Sequence, residues 1–156
     1  MNTTGISNYT LEKYCKKILT KNNFLGVYPC DSYPLKFLML ENASMIFNLS
    51  PHYDSGSHFV SILKKSNLIY YFDSFGKKLT NTDIKTFLKK GKFQIKINNV
   101  KIQDFNSHFC GLYCLAFLIY SQRNNKPFTF VKIFDKNNLK NNDKIVVQYI
   151  LNEIKH

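Results

Sequence analysis

The sequence predicts an α+β fold: one domain in which helices pack on a small mixed β-sheet around a buried central helix. Three observations carry this. The hydrophobic period switches along the chain from helical to alternating and back. One stretch, CGLYCLAFLIYSQR, is apolar nearly all round, as a helix buried on most of its surface must be. No internal repeat, linker or low-complexity tract divides the sequence, and 156 residues suffice for one core that buries roughly two thirds of the unfolded surface. A single domain over residues 1–156 is therefore expected.

Taken in order, TLEKYCKKILTK (10–21) sets Leu11, Tyr14, Cys15, Ile18 and Leu19 on one face at helical spacing, with Thr10 as N-cap. FLGVYPCDSYP (24–34) carries Gly26, Pro29, Asp31 and Pro34 and reads as an irregular connection, followed by a short helix near Leu35 to Glu41. SMIFNL (44–49), HFVSILKK (58–65) and LIYYFDSF (68–75) are short runs rich in β-branched and aromatic residues, hence strands, the last two joined as a hairpin through Ser66 and Asn67. NTDIKTFLKK (81–90) returns to helical spacing and KFQIKI (92–97) alternates as one more strand. The buried helix follows at 110–123. A last amphipathic helix runs from about Asp143 to Ile154, with Asp143 or Asn142 as its cap.

Composition excludes several classes. Hydrophobic residues at 44% and aromatics at 15% give too much apolar area for a disordered polypeptide. The longest apolar run, around Leu112 to Tyr120, is well short of a membrane span, so no membrane partner is expected. Four cysteines do not make a disulfide scaffold, and no hydrophobic signal region precedes Thr10, which together point to a reducing, intracellular setting. Cys110 and Cys114 are spaced C-x-x-x-C with no second pair, unlike a structural zinc site, so no metal is assigned. The net charge of +12 is nearly all lysine, with Arg123 the only arginine, and Asn, Ile, Phe and Tyr are abundant as in AT-rich coding. Arginine forks, the better signature of specific phosphate contacts, are missing, so any nucleic-acid attachment would be sequence-blind and salt-sensitive.

The chemistry concentrates in QDFNSHFCGLYCLAF (103–117). A thiol is a strong nucleophile as thiolate, a form favoured at the positive end of a helix dipole beside an imidazole. Cys110 meets the first condition if the buried helix begins there, and Gly111 next to it permits close approach of a substrate or another backbone. Cys114, a turn further in, and Cys15, on an apolar helix face, read as core; Cys30 reads as an exposed loop residue. A base and its orienter come from the hairpin, where His58 opens one strand and Asp73 closes the next, placing them at one end of the sheet. His52 and Asp54 lie in a loop without fixed geometry, and His108 is too near Cys110 in sequence to reach round to it. Gln103, seven residues before the cysteine, offers a side-chain N–H which, with the Cys110 backbone N–H, would form an oxyanion-binding pair.

GSHFV (56–60), YYFDSFG (70–76) and Q-x-x-N-S-x-x-C-G-L-Y-C (103–114), in that order, closely resemble the adenain family. These are adenovirus-type maturation cysteine proteases, of a clan shared with the SUMO and ubiquitin-like proteases. FLGVY followed by Asp31 and Pro34 is similar to that family's N-terminal segment, so the likeness runs from about Phe24 to Phe117. It implies a papain-like, adenain-like domain in which His58 is general base, Asp73 orienter, Gln103 oxyanion donor and Cys110 nucleophile. Phe59 stands where the family usually has tryptophan and would keep a ring over the imidazole. Asp73 matches many viral relatives where the human adenovirus enzymes have glutamate, and the seven-residue interval from Gln103 to Cys110 matches the viral branch.

What the resemblance implies is a thiol endopeptidase that matures viral capsid or core precursors at glycine-containing sites, in the virion and the infected host cell. The protein would be a monomer with no required cofactor; the resemblance suggests DNA or a viral peptide as activator, and the absence here of a counterpart to the activator-linked cysteine argues against the peptide. Two other functions fit the same residues: a ubiquitin- or SUMO-directed isopeptidase, and a basic, non-catalytic nucleic-acid-associated viral protein.

Overall fold

A computed structural model of the protein describes residues 6–21, 23–50 and 58–155. The loop positions His52, Asp54 and Gly56 lie outside the described residues. Five strands form one mixed sheet in the order β1 (Phe24–Pro29), β2 (Asn42–Asn48), β3 (Phe59–Lys65), β4 (Leu68–Phe72) and β5 (Gln94–Ile97). The inner ladders are antiparallel, while β1 on β2 and β5 on β4 are parallel. The α+β class and the single mixed sheet thus follow the expectation.

Both faces of the sheet are covered, and the alternation along each strand sorts its residues between two cores. Ile46, Leu63, Tyr70 and Phe72 face a larger core shared with α1 (Asn8–Ile18), α3 (Cys110–Arg123) and α4 (Asn142–Ile154). Met45, Phe47, Val60, Ile62, Ile69 and Tyr71 face a smaller one closed by α2 (Thr82–Lys89) and the 3-10 turn Leu35–Leu38. Burial on both faces explains why β2, β3 and β4 read as nearly continuous apolar runs.

α3 is the centre of the larger core. Ten of its fourteen residues are buried. Phe117 stacks on Phe72 of β4 at 4.4 Å with the rings nearly parallel, and meets Phe130 edge-on at 5.9 Å. Phe130 belongs to a 3-10 stretch, Pro127–Ile133, that the sequence pattern did not single out. Ser61, wholly buried in β3, donates to the Cys114 carbonyl at 3.3 Å and so ties sheet to helix.

Four expectations need correction. The run from Phe24 is a strand, because the Val27 N–H is taken by Glu12 of α1 at 2.9 Å across a bulge that relaxes the need for regular pairing. That bulge is centred on Gly26, whose φ of +149° is a backbone conformation that residues with a Cβ rarely adopt. Ser7, rather than Thr10, caps α1, its oxygen accepting from the Thr10 N–H at 3.1 Å. Neither Asp143 nor Asn142 caps α4: it starts at Asn142, whose buried amide bridges Asp135 and the Ile102 carbonyl instead. Cys30 is buried, its sulfur 3.3 Å from the Leu49 carbonyl.

Since Phe117 fixes α3 on the sheet, Phe117→Ala should cost ~3–5 kcal/mol of unfolding free energy and Phe117→Leu much less. Urea denaturation followed by far-UV circular dichroism measures both.

Candidate active site

His58 is the residue just before β3, and its carbonyl is pinned by the Leu49 N–H at 2.8 Å. The β3–β4 ladder pairs Ser61 with Phe72 and Lys65 with Leu68. Continued past the end of β4, this register sets Phe75 opposite His58 and Asp73 on the diagonal, all on one side of the hairpin. The contacts agree. His58 Nε2 and Asp73 Oδ1 are 2.8 Å apart, and the Phe75 ring stacks on the imidazole at 4.8 Å and 28°. The ring over His58 is therefore Phe75; Phe59 instead turns into the core, towards Gly111 and α3.

Asp73 is held from several sides. The Phe75 N–H donates to the same Oδ1 at 2.8 Å, and Asn98 Nδ2 and the Gly76 N–H donate to the Asp73 carbonyl. Gly76 has φ of +69°, and a Cβ there would lie 2.8 Å from the Lys101 backbone nitrogen, so the turn after β4 can press flat on residues 98–103. Neither Asn98 nor Phe75 was assigned from the sequence. For Phe75 the signal was present: a two-residue hairpin loop at Ser66 and Asn67 already sets it across from His58.

Cys110 begins α3 and is 8% exposed, next to the imidazole. Its sulfur lies close enough to His58 to act on the titration of the ring, whose Nε2 is engaged by Asp73. Burial alone would lower the His58 pKa. The hydrogen bonds to Asp73 and Cys110, with the charges of both, outweigh it and raise the value from 6.5 to about 9. At neutral pH the ring is thus an imidazolium, with Asp73 as its acceptor. Burial pushes the Cys15, Cys30 and Cys114 thiols up, away from thiolate. Gly111 proves to be a packing residue, its open side facing Ile6, Leu11 and Phe59. His108 is exposed.

Gln103 is fully buried behind the loop that leads to Cys110. Its Oε1 accepts from Ser74, and its Nε2 lies 3.1 Å from both the carbonyl and the hydroxyl of Ser107. The amide is engaged by the protein itself, and an oxyanion role asks for one of the Ser107 contacts to be exchanged for a substrate oxygen. Ser107 Oγ also accepts from the Phe109 N–H at 3.2 Å and donates to Asp143 at 2.8 Å. Sequence reasoning gave no site role to Ser74 and Ser107, though both lie inside the quoted motifs, and read Asp143 only as a helix cap. Among the described residues no group of three or more His, Cys, Asp or Glu could hold a metal, and no helix is long and apolar enough to cross a membrane.

Fold and geometry define a class: an α+β domain that holds a hydrogen-bonded histidine–aspartate pair and an adjacent cysteine at the end of a mixed sheet. No protein-family model matches the sequence, and no curated protein matches it. Solved structures do share the fold. The ASFV pS273R protease superposes with a TM-score of 0.63 at 13% identity, over 95% of this chain and 67% of that one. Its selenomethionine form gives 0.58 at 15% identity over the same shares. AvrA delL154 with IP6 and CoA gives 0.53 at 15% identity, over 89% of this chain and 53% of AvrA. The protein therefore spans about two thirds of the pS273R protease and about half of AvrA.

The raised His58 pKa makes stability depend on pH. Because the folded value lies above the unfolded one, the stabilisation is whole below pH ~6.5 and is lost as pH rises through about 9. Asp73→Asn removes a chief cause of the shift. The gap in unfolding midpoint between the parent and Asp73→Asn should therefore be widest at or below pH ~6.5 and narrow by pH ~9.5, as thermal melts across that range would record.

Proposed function

We propose that this protein is a cysteine endopeptidase of adenain type that cleaves viral capsid or core precursor polypeptides at glycine-containing sites during virion maturation, within the virion and infected cell. The observation that carries the reading is the Asp73–His58 pair at 2.8 Å with Cys110 beside the ring, at the first residue of a buried helix. The likeness of the fold to a viral protease supports it, as does the sequence resemblance. A monomer acting on extended polypeptide suffices, and the lysine-rich surface suits, without requiring, DNA as an activator.

In this reading the Cys110 thiolate, with its proton on His58, attacks the scissile carbonyl. The Cys110 N–H, at the first position of α3, receives the oxyanion together with Gln103. His58 then protonates the departing amine as the carbon–nitrogen bond breaks, leaving a thioester. Water, deprotonated by the now neutral imidazole, attacks the thioester and releases the acid and Cys110. Asp73 holds the ring in position and stabilises its charge throughout.

A peptide carrying a Gly-Gly or Gly-X site tests this. Cys110→Ala should abolish cleavage and Cys114→Ala should not; an active Cys110→Ala protein overturns the reading. Gln103→Ala should lower kcat by ~10²–10³ while iodoacetamide still alkylates Cys110 at the parent rate. Labelling by a ubiquitin or SUMO activity probe, with no cleavage of the peptide, would assign the same residues to an isopeptidase.

The pH profile gives a second check. The imidazolium is the form that protonates the leaving amine, so kcat/KM should fall as pH rises through about 9. In Asp73→Asn that alkaline limb should move to lower pH.

A further inference from the structure

Phe75 does more than cover the imidazole. Two ammonium groups lie over the same ring, Lys77 Nζ at 5.6 Å and Lys101 Nζ at 5.9 Å from its centroid. Both lysines are exposed, and neither has a carboxylate partner among the described residues. They come from different segments that are locked together beside the site. The Ile102 and Gln103 N–H groups both donate to the Ser74 carbonyl, and Gly76 lies against the backbone of Val100 and Lys101. The lysine backbones are thus fixed relative to His58, and attraction to the ring face keeps the ammonium groups near it. With the imidazole 4.8 Å from Phe75, both charges lie within about one Debye length of His58, ~10 Å at 0.1 M salt.

The nearby acids are engaged elsewhere. Asp73 is committed to His58 and the Phe75 N–H, and Asp104 turns back to accept from Asn106 in its own loop. The direction of the chemistry says which part of a substrate meets the pair: His58 protonates the leaving amine, so the substrate residues that follow the cut pass on its side. A distance of ~10 Å corresponds to about three residues of extended peptide.

We propose that Lys77 and Lys101 form a specificity site for acidic side chains, Asp or Glu, within the first three substrate residues after the scissile bond. The inference rests on the protease reading and adds to it a substrate class. An acidic peptide is favoured over nucleic acid because a duplex seated on this pair would cover the imidazole, and because two lysines without an arginine make a point-charge site rather than a phosphate fork.

The test compares matched Gly-Gly peptides that differ only in Asp against Asn at the third position after the cut. The parent should prefer Asp by ~3- to 10-fold in kcat/KM, less at high salt. The double variant Lys77→Glu and Lys101→Glu should lose or invert that preference. Lys85→Glu with Lys89→Glu, the same charge change on α2, should keep it. Taking the ratio within each variant cancels any general loss of rate. A second readout needs no cleavage: the rate of Cys110 alkylation by anionic iodoacetate relative to neutral iodoacetamide should fall several-fold in the Lys77 and Lys101 variant alone.

Failure of every peptide to be cut, with the alkylation ratio behaving as expected, would sink the protease reading while upholding the anion site. Equal cleavage of Asp and Asn peptides together with an unchanged alkylation ratio would overturn the inference. So would a site whose only measurable response is to a duplex oligonucleotide.

Discussion

The burial of α3 is the constraint on which the rest of the structure depends. A helix usually secures its N-terminus with a capping oxygen or an acidic first turn. α3 has neither: Phe109 precedes it with no polar group to cap it, and no acid lies in its first turn. Its position is set from the other end, by Phe117 against Phe72 and Phe130 and by Ser61 under Cys114. The arrangement leaves Cys110 at the helix start with no capping side chain from Phe109 and no acidic residue in its own first turn. A capped helix would be better closed but worse suited to hold a thiolate or an oxyanion, since the cap would already occupy the positive end of the dipole.

If α3 fixes the sulfur, the turn after β4 fixes what faces it. Within residues 73–76, Asp73 takes His58 and the Phe75 N–H, Ser74 takes Gln103 through its hydroxyl and residues 102 and 103 through its carbonyl, and Phe75 covers the imidazole. Acid, aromatic cover and amide support thus come from consecutive positions. Small errors in this turn would be felt by His58 and Gln103 together, which is why its flat seating at Gly76 matters. The bonds to a charged acceptor are the stronger kind, and they converge on the one carboxylate that must stay oriented.

How much of this was legible in the sequence follows the range of the interactions. Patterns set by one element's own burial were clear: the all-apolar α3, the apolar, β-branched and aromatic β3 and β4, and the amphipathic α2. β1 was hidden because it is a short edge strand, with Gly26 at a bulge and Pro29 at its end, and gives a hydrogen bond to a helix carboxylate in place of part of a ladder. His58 and Asp73 could be paired in advance because a tight hairpin converts sequence spacing into distance. The partners that orient Gln103 could not. Ser107 is near it in sequence, but Asp143 arrives from α4, 36 residues after Ser107, and no local pattern marks a serine or aspartate that will meet across the fold. Gly111 shows the reverse case: a glycine beside a reactive residue suggested substrate approach, yet it makes room for Ile6 and Leu11.

The link to α4 completes the mechanical argument. Asp143 Oδ1 accepts from Ser107 and from Tyr113, each at 2.8 Å, so one carboxylate joins the loop before Cys110 to the helix that follows it. Burial, reinforced by that bond to Asp143, pushes the Tyr113 phenol up, so it stays a donor throughout the pH range in which His58 titrates. Ser107 in turn uses its one hydroxyl proton on Asp143 and its lone pairs on Gln103 and Phe109. With every group satisfied, the network stiffens the loop, where a half-satisfied one would loosen it. Asn142 adds a second tie, from the adjacent position of α4 to the Ile102 carbonyl. The C-terminal helix, far from the reacting atoms in sequence, is thereby a strut for the segment that carries Gln103. The geometry around Cys110 is therefore a property of the whole larger core and of α4, and not of the motif alone.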